Sequence, residues 1–231
     1  MPKIQSILED LGEAEALFEN QQTLSGTVKV TCVPFVAHRL LLQVLPEFMT
    51  LHPKIHLELE LSESFLNIID AGFDMAVRIE TPRNSDLVYR KLAPNDLVFC
   101  ASPEYLQKNR APLRSPNDLA HHQLLMLSVH RKCRFEKSEL VLGEFERYKT
   151  LTCENGALLT DMAVNGQGVL VRSIWDAREH FRSGSLVQVL QKHPLETFGH
   201  IHAVVPSKRY LAPRVRAFLD FVVAKAADWR I

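Results

Sequence analysis

From Ile4 onward the apolar residues Ile7, Leu8, Leu11, Ala14, Leu17 and Phe18 return at three- and four-residue steps, with Glu9, Asp10, Glu13 and Glu15 between them. That spacing predicts an amphipathic helix ending near Asn20 to Thr23, ahead of Ser25-Gly26. Its apolar stripe has no partner within so short a segment. It packs either on its own domain or against a helix of a second copy, and pattern alone leaves both open. Positions 28–33 read as a short buried strand closed by Pro34, and Leu40, Leu41, Leu42, Val44, Leu45, Phe48 and Met49 make one helix stopped before Pro53. Ile55, Leu57, Leu59 and Leu61 alternate with His56, Glu58, Glu60 and Ser62, the period-two pattern of a strand with one polar face. A helix over 65–71 follows, with Gly72 at its C-terminal cap position.

Strands are expected at 75–79, 87–92 and 97–101, then a short helix with Pro103 in its first turn, reaching about position 109. A breaker-rich connector at 111–118, with Pro112 and Pro116, precedes a restart of the same alternation. Strands are expected at 124–128, 135–142 and 148–153, and a helix at 158–164. Gly166 and Gly168 turn the chain into a strand at 169–172, and further strands fall at 186–190 and 202–205. After Pro213, the residues Val215, Phe218, Leu219, Val222 and Val223 form a last amphipathic helix. Alternating strands and helices imply an α/β fold with a largely parallel sheet, whose ligands sit outside the carboxyl ends of the strands.

Composition narrows the function. At 231 residues with 46% hydrophobic and 23% charged positions the chain is long enough to bury a core. Lys plus Arg and Asp plus Glu each number 27, so no excess positive charge is available to hold a phosphate backbone. The partner expected of this segment is a small molecule or another protein. The sequence shows no apolar run of membrane-spanning length and no signal-peptide pattern, so a cytoplasmic location is expected. Cys32, Cys100, Cys133 and Cys153 are scattered without a Cys-x-x-Cys pair, as in a reducing compartment. His121 and His122 are adjacent on an extended segment and point to opposite faces, which argues against a shared metal ion. Gly166-Gln167-Gly168 lacks the rest of a dinucleotide fingerprint, and there is no Gly-x-Ser-x-Gly elbow. No catalytic residues, metal or cofactor are expected.

A set of fragments in order carries a resemblance: G-T-V-K-V from Gly26, L-P-E-F from Leu45, H-P-K-I-H-L-E-L from His52, and F-D-M-A-V-R-I from Phe73. L-V-Y-R-K-L from Leu87, C-A-S-P-E-Y-L from Cys100, P-N-D-L-A-H-H from Pro116, G-Q-G-V from Gly166 and L-A-P-R-V-R-A-F-L-D-F from Leu211 follow. In this register the chain resembles the C-terminal effector-binding domain of the LysR-type transcriptional regulators. The resemblance implies two Rossmann-like subdomains of type 2 periplasmic-binding-protein kind, joined by two crossovers placed near Ala101 and His202. Subdomain I would span 25–101 and 203–231, and subdomain II 102–202. Residues 1–24 would be the tail of a linker helix that packs between subunits of a homodimer or homotetramer. The family's DNA-reading winged helix-turn-helix matches no residue here, so DNA contact is expected only through a head outside this chain.

The implied effector, anionic or partly apolar, would lie between the subdomains. Pro34, Phe35 and Val36 offer an apolar wall and backbone donors where the family often carries hydroxyl residues. Arg78 ends a strand with a guanidinium suited to a carboxylate, or to a pairing with Glu80 or Asp74. Ser64 and Ser102 are ligand contacts or helix caps, and Ser128 ends the first strand of the second half. Glu154 and Asn155, and then Arg172 and Trp175, stand at strand-to-helix junctions. Two alternatives remain at this stage. Cys133, in R-K-C-R, would be activated by its basic neighbours and pair with Cys153 as a redox switch; or the chain would be a non-regulatory solute-binding protein.

Overall fold

The structure, a computed structural model, describes residues 24–63, 68–82, 87–206 and 211–229. The expected opening helix and Ser64 lie outside these residues. Two five-stranded sheets form the frame. In the first sheet, β1 (Gly26–Cys32) pairs in parallel with β2 (Ile55–Leu61) and β3 (Met75–Glu80). The strand β4 (Leu87–Pro94) joins it only through β10 (His200–Pro206), which runs antiparallel to both β3 and β4. The second sheet is built from β5 (Leu97–Ala101), β6 (Leu124–Leu127), β7 (Thr150–Cys153), β8 (Val169–Ser173) and β9 (Val187–Val189), in the order β7-β6-β8-β5-β9. Here β5 is antiparallel to both β8 and β9, whereas β6 is parallel to β7 and β8.

The sheets are therefore mixed, where the alternation of elements predicts mostly parallel pairing. Each sheet receives a strand from the crossing chain, and that strand enters in the reverse direction. The crossover also lies earlier than expected. β5 hydrogen-bonds wholly within the second sheet, so the chain changes sheets at Asn95-Asp96 rather than after Ala101. His200 already belongs to the first sheet, so the return is complete before His202. Ser102-Pro103, which suggests a boundary in sequence, is a plain helix start: Ser102 Oγ accepts the Tyr105 N–H at 3.2 Å at the head of α3 (Pro103–Lys108).

Local chemistry accounts for two further departures. The single helix expected across 40–49 is divided into α1 (Pro34–Arg39), a 3-10 turn (Leu41–Gln43) and α2 (Leu45–Leu51). Pro46 has no N–H to give to the preceding turn, so the α-helix restarts with Pro46 in its own first turn. The strand expected at 135–142 reduces to isolated bridges, Arg134 to Val141 and Phe135 to Leu195. Lys137 there has φ of 56°, a left-handed turn residue that interrupts any ladder.

The core follows the periodicities. In α6 (Pro213–Ala226), Val215, Phe218, Leu219, Val222 and Ala226 are buried, a helical stripe that packs onto β1 and β4. Phe218 meets Phe48 of α2 edge to face, with ring centroids 4.8 Å apart. Along β5, Leu97, Phe99 and Ala101 enter one core while Val98 and Cys100 enter the core on the opposite face. The second core is completed by α4 (Gly156–Val164) and α5 (Ile174–Ser183).

Candidate functional site: a cleft at the crossover

The chain passes from the first sheet to the second at Pro94–Asp96, and the junction of β8 with α5 is stapled to it. Ser173 Oγ donates to Asn95 Oδ1 at 2.7 Å, the Ile174 N–H donates to Asp96 O at 2.9 Å, and Trp175 Nε1 donates to Pro94 O at 2.8 Å. Trp175 is 2% exposed and belongs to the core of the first sheet, although its helix follows a strand of the second. It thus pins the two halves together. A second tie is ionic: Asp176 of α5 lies 3.4 Å from Arg39 Nε on α1 and 2.7 Å from Arg172 Nε on β8.

Beside this pin opens a cleft between the two halves. One wall comes from the first half: Val33, Phe35, Ser62, Glu63, Arg78 and Ile79. The facing wall comes from the crossovers and the second half, with Asn95, Leu97, Leu127, Val129 and His130, then Arg172, Ser173 and Phe198. The lining is divided between apolar side chains and polar or charged ones.

Those groups are arranged around Arg172. Its side chain is 3% exposed, its Nε is held by Asp176, and its guanidinium carbon stands 5.5 Å from the centre of the Phe35 ring. The guanidinium also lies flat against Gly156 at the start of α4, where even a Cβ would overlap it. Glycine at 156 is therefore what admits Arg172 to the cleft. Arg78, opposite, donates to Thr31 Oγ1 at 3.3 Å, and burial draws its pKa below the usual guanidinium value. Burial pushes the His130 pKa down to about 3, with the Arg172 charge adding to the effect, so its imidazole is neutral. Burial raises the Glu63 carboxyl, Arg172 opposes that rise, and Asp176 and Glu154 reinforce it. Two polar atoms at the cleft lack hydrogen-bond partners among the described residues: Asn95 Nδ2 and His130 Nδ1. A buried unpaired polar atom costs about 1–3 kcal/mol, which a ligand can recover by pairing with it.

Of the residues singled out in sequence, Phe35, Arg78 and Arg172 line this cleft together. Pro34 is the first residue of α1 and Val36 is fully buried in the core, so neither reaches it. Ser102 caps α3, and Asn155 Oδ1 accepts the Leu158 N–H at 3.0 Å as the cap of α4. With Arg172 over Gly156, that helix start is covered rather than open. Ser128 opens a 3-10 turn (Ser128–Lys132) whose neighbours Leu127, Val129 and His130 reach the cleft while it does not, and Glu154 is exposed outside the lining. The residues missed were Glu63, Asn95, His130 and Phe198. Asn95 alone carried a usable signal, as the centre of a Pro-Asn-Asp breaker between two strands.

Cys133 is corrected as well. It is 3% exposed, and burial pushes its thiol up to about 12, the reverse of activation. Its basic neighbours are turned elsewhere, Arg131 to Glu146 at 2.5 Å and Arg134 to Glu139 at 2.7 Å.

Known proteins share both the sequence and the fold. The family described as LysR substrate binding domain matches residues 21–227. An HTH-type transcriptional regulator of Haemophilus influenzae is 29% identical over 218 residues, covering 92% of this chain and 74% of that protein. The HTH-type transcriptional regulator DmlR of Escherichia coli is 26% identical over 223 residues, covering 94% and 71%. Among solved structures, the regulatory domain of CrgA, a LysR-type transcriptional regulator from Neisseria meningitidis, superposes with a TM-score of 0.75 at 26% identity. That match covers 88% of this chain and 100% of that one. The match across nearly the whole length, with two mixed sheets joined at a cleft, shows that the chain belongs to the LysR substrate-binding domain family, the regulatory domain of LysR-type transcriptional regulators.

Proposed function

We propose that this domain is a sensor whose small-molecule effector sits in the cleft between the two sheets. The observation that carries the reading is a pair of buried, unpartnered polar atoms, Asn95 Nδ2 and His130 Nδ1, beside Arg172 in the cleft between the halves. A binding free energy that differs between two relative arrangements of the halves shifts the population between them. The Trp175 pin and the Asp176 bridge lie where such a shift would be felt. Through the DNA-binding unit of such regulators, the shift would alter transcription; the domain itself performs no chemistry on its ligand and works in the cytoplasm as part of a homo-oligomer. The amphipathic stretch in residues 1–24 serves as the contact between copies.

A thermal-shift screen of the chain against a metabolite library tests this reading. A cognate effector at 100 times its Kd adds about 2.7 kcal/mol of stability, or about 5–10 °C for a domain of this size. The shift should vanish in Arg172→Met. A library that produces no shift, or a shift left intact by Arg172→Met, would remove the cleft from the account.

A further inference from the structure

The polar groups of the cleft are of two kinds, and they are not interchangeable. On the donor side stand Asn95 Nδ2 and the terminal N–H groups of Arg172, which make no hydrogen bond among the described residues while Nε is held by Asp176. On the acceptor side stand the Glu63 carboxylate and His130, a neutral imidazole whose Nδ1 is an acceptor in the Nε2–H tautomer. Glu63 on one wall and Asn95, His130 and Arg172 on the other line the same cleft.

Consider a simple carboxylate in that volume. Its oxygens would pair with Arg172 and Asn95, but it would also face the Glu63 carboxylate of the opposite wall. Like charges in a partly dry site repel strongly, and the acceptors would remain unused. A simple cation meets the converse difficulty at Arg172 and Arg78. A molecule with an anionic and a cationic end a few bonds apart satisfies both walls. The rest of the lining, Phe35, Leu127, Val129 and Phe198, calls for an apolar body.

Building on the sensor reading, we infer that the ligand of this cleft is a zwitterion of the α-amino-acid type with an apolar side chain. Its carboxylate is received by Arg172 and Asn95, its ammonium by Glu63 on the opposite wall with His130, and its side chain packs against Phe35 and Phe198. Because Glu63 belongs to the first half and Arg172 to the second, the same ligand ties the two halves.

The test uses the whole chain and isothermal titration with the apolar L-amino acids, each set against its matched desamino acid and amine. For phenylalanine these are 3-phenylpropanoate and 2-phenylethylamine. At least one amino acid is expected to bind about tenfold or more tightly than both of its analogues. In Glu63→Gln, with its melting curve checked against the parent, that preference over the desamino acid should fall to about threefold or less. The inference is overturned if the desamino acid binds the parent protein as well as the amino acid does. It is also overturned if no amino acid binds while another metabolite of the library does, an outcome that leaves the sensor reading standing. If neither collection binds, both readings fall.

Discussion

Replacing His130 with Phe should make the domain more tolerant of acid, because the native fold holds this imidazole neutral. His130 is 4% exposed, and burial together with the Arg172 charge draws its pKa down to about 3. In the unfolded chain the same group titrates near 6.5. Above pH 6.5 both states are neutral and the group contributes nothing. Below it the unfolded chain takes up a proton that the native state refuses until about pH 3, so stability falls with pH across that window. The slope is about 1.4 kcal/mol per pH unit, which brings the loss at pH 5 to about 2 kcal/mol and the drop in Tm to about 4–8 °C. Phe cannot titrate, and it keeps the edge-to-face contact that the imidazole makes with Phe198 at 5.5 Å. Urea unfolding of parent and variant at pH 7.5 and pH 5.0 isolates this residue, since every other group is common to both. The gap between the two proteins should move by about 2 kcal/mol in favour of the variant on acidification. Parallel behaviour, within about 0.5 kcal/mol, would show that His130 takes up protons in the native state and is not held dry.

Gly156→Ala should destabilise the domain even though alanine is the better helix former. Propensity offers up to about 1 kcal/mol, whereas the new Cβ displaces Arg172 from Asp176, and breaking a buried pair costs about 3–5 kcal/mol. A net loss of about 2–4 kcal/mol is expected in denaturant unfolding, falling below about 1 kcal/mol in an Arg172→Met background; equal losses in both would refute the overlap. Alkylation of the native protein with iodoacetamide at pH 7.5, read by peptide mass, should modify Cys153 alone. Cys153 is partly exposed, whereas Cys32, Cys100 and Cys133 are buried. Labelling of Cys133 ahead of Cys153 would contradict its burial.

The helices and strands were legible because each depends on short-range pattern. The alternation in Ile55–Leu61, the stripe in Pro213–Ala226 and the proline-led start of Pro103–Lys108 are all present as local spacing. Even the split around Pro46 was open to such reasoning, since the missing N–H is written in the residue type. Of the residues lining the candidate cleft, Phe35, Arg78 and Arg172 were reachable because a strand end or strand-to-helix junction is a sensible place to look. The same rule proposed Trp175 and Asn155, and there it failed. One entered the core of the other half, and the other turned inward to cap its own helix.

Sequence by itself determined most of the strands and helices, the α/β class, the family register from Gly26 to Phe221 and the absence of a net charge suited to DNA. What it could not determine is which strand joins which sheet. β5 is equally apolar whether it pairs with β4 or with β8, and hydrophobic pattern records burial without recording the partner. Only the tertiary structure placed the crossover at Asn95, and with it brought together Asn95, His130, Arg172 and Glu63, residues from four separate stretches of chain. Their chemistry depends on that meeting, because a neutral histidine, a covered arginine and a desolvated carboxylate are products of burial and of one another.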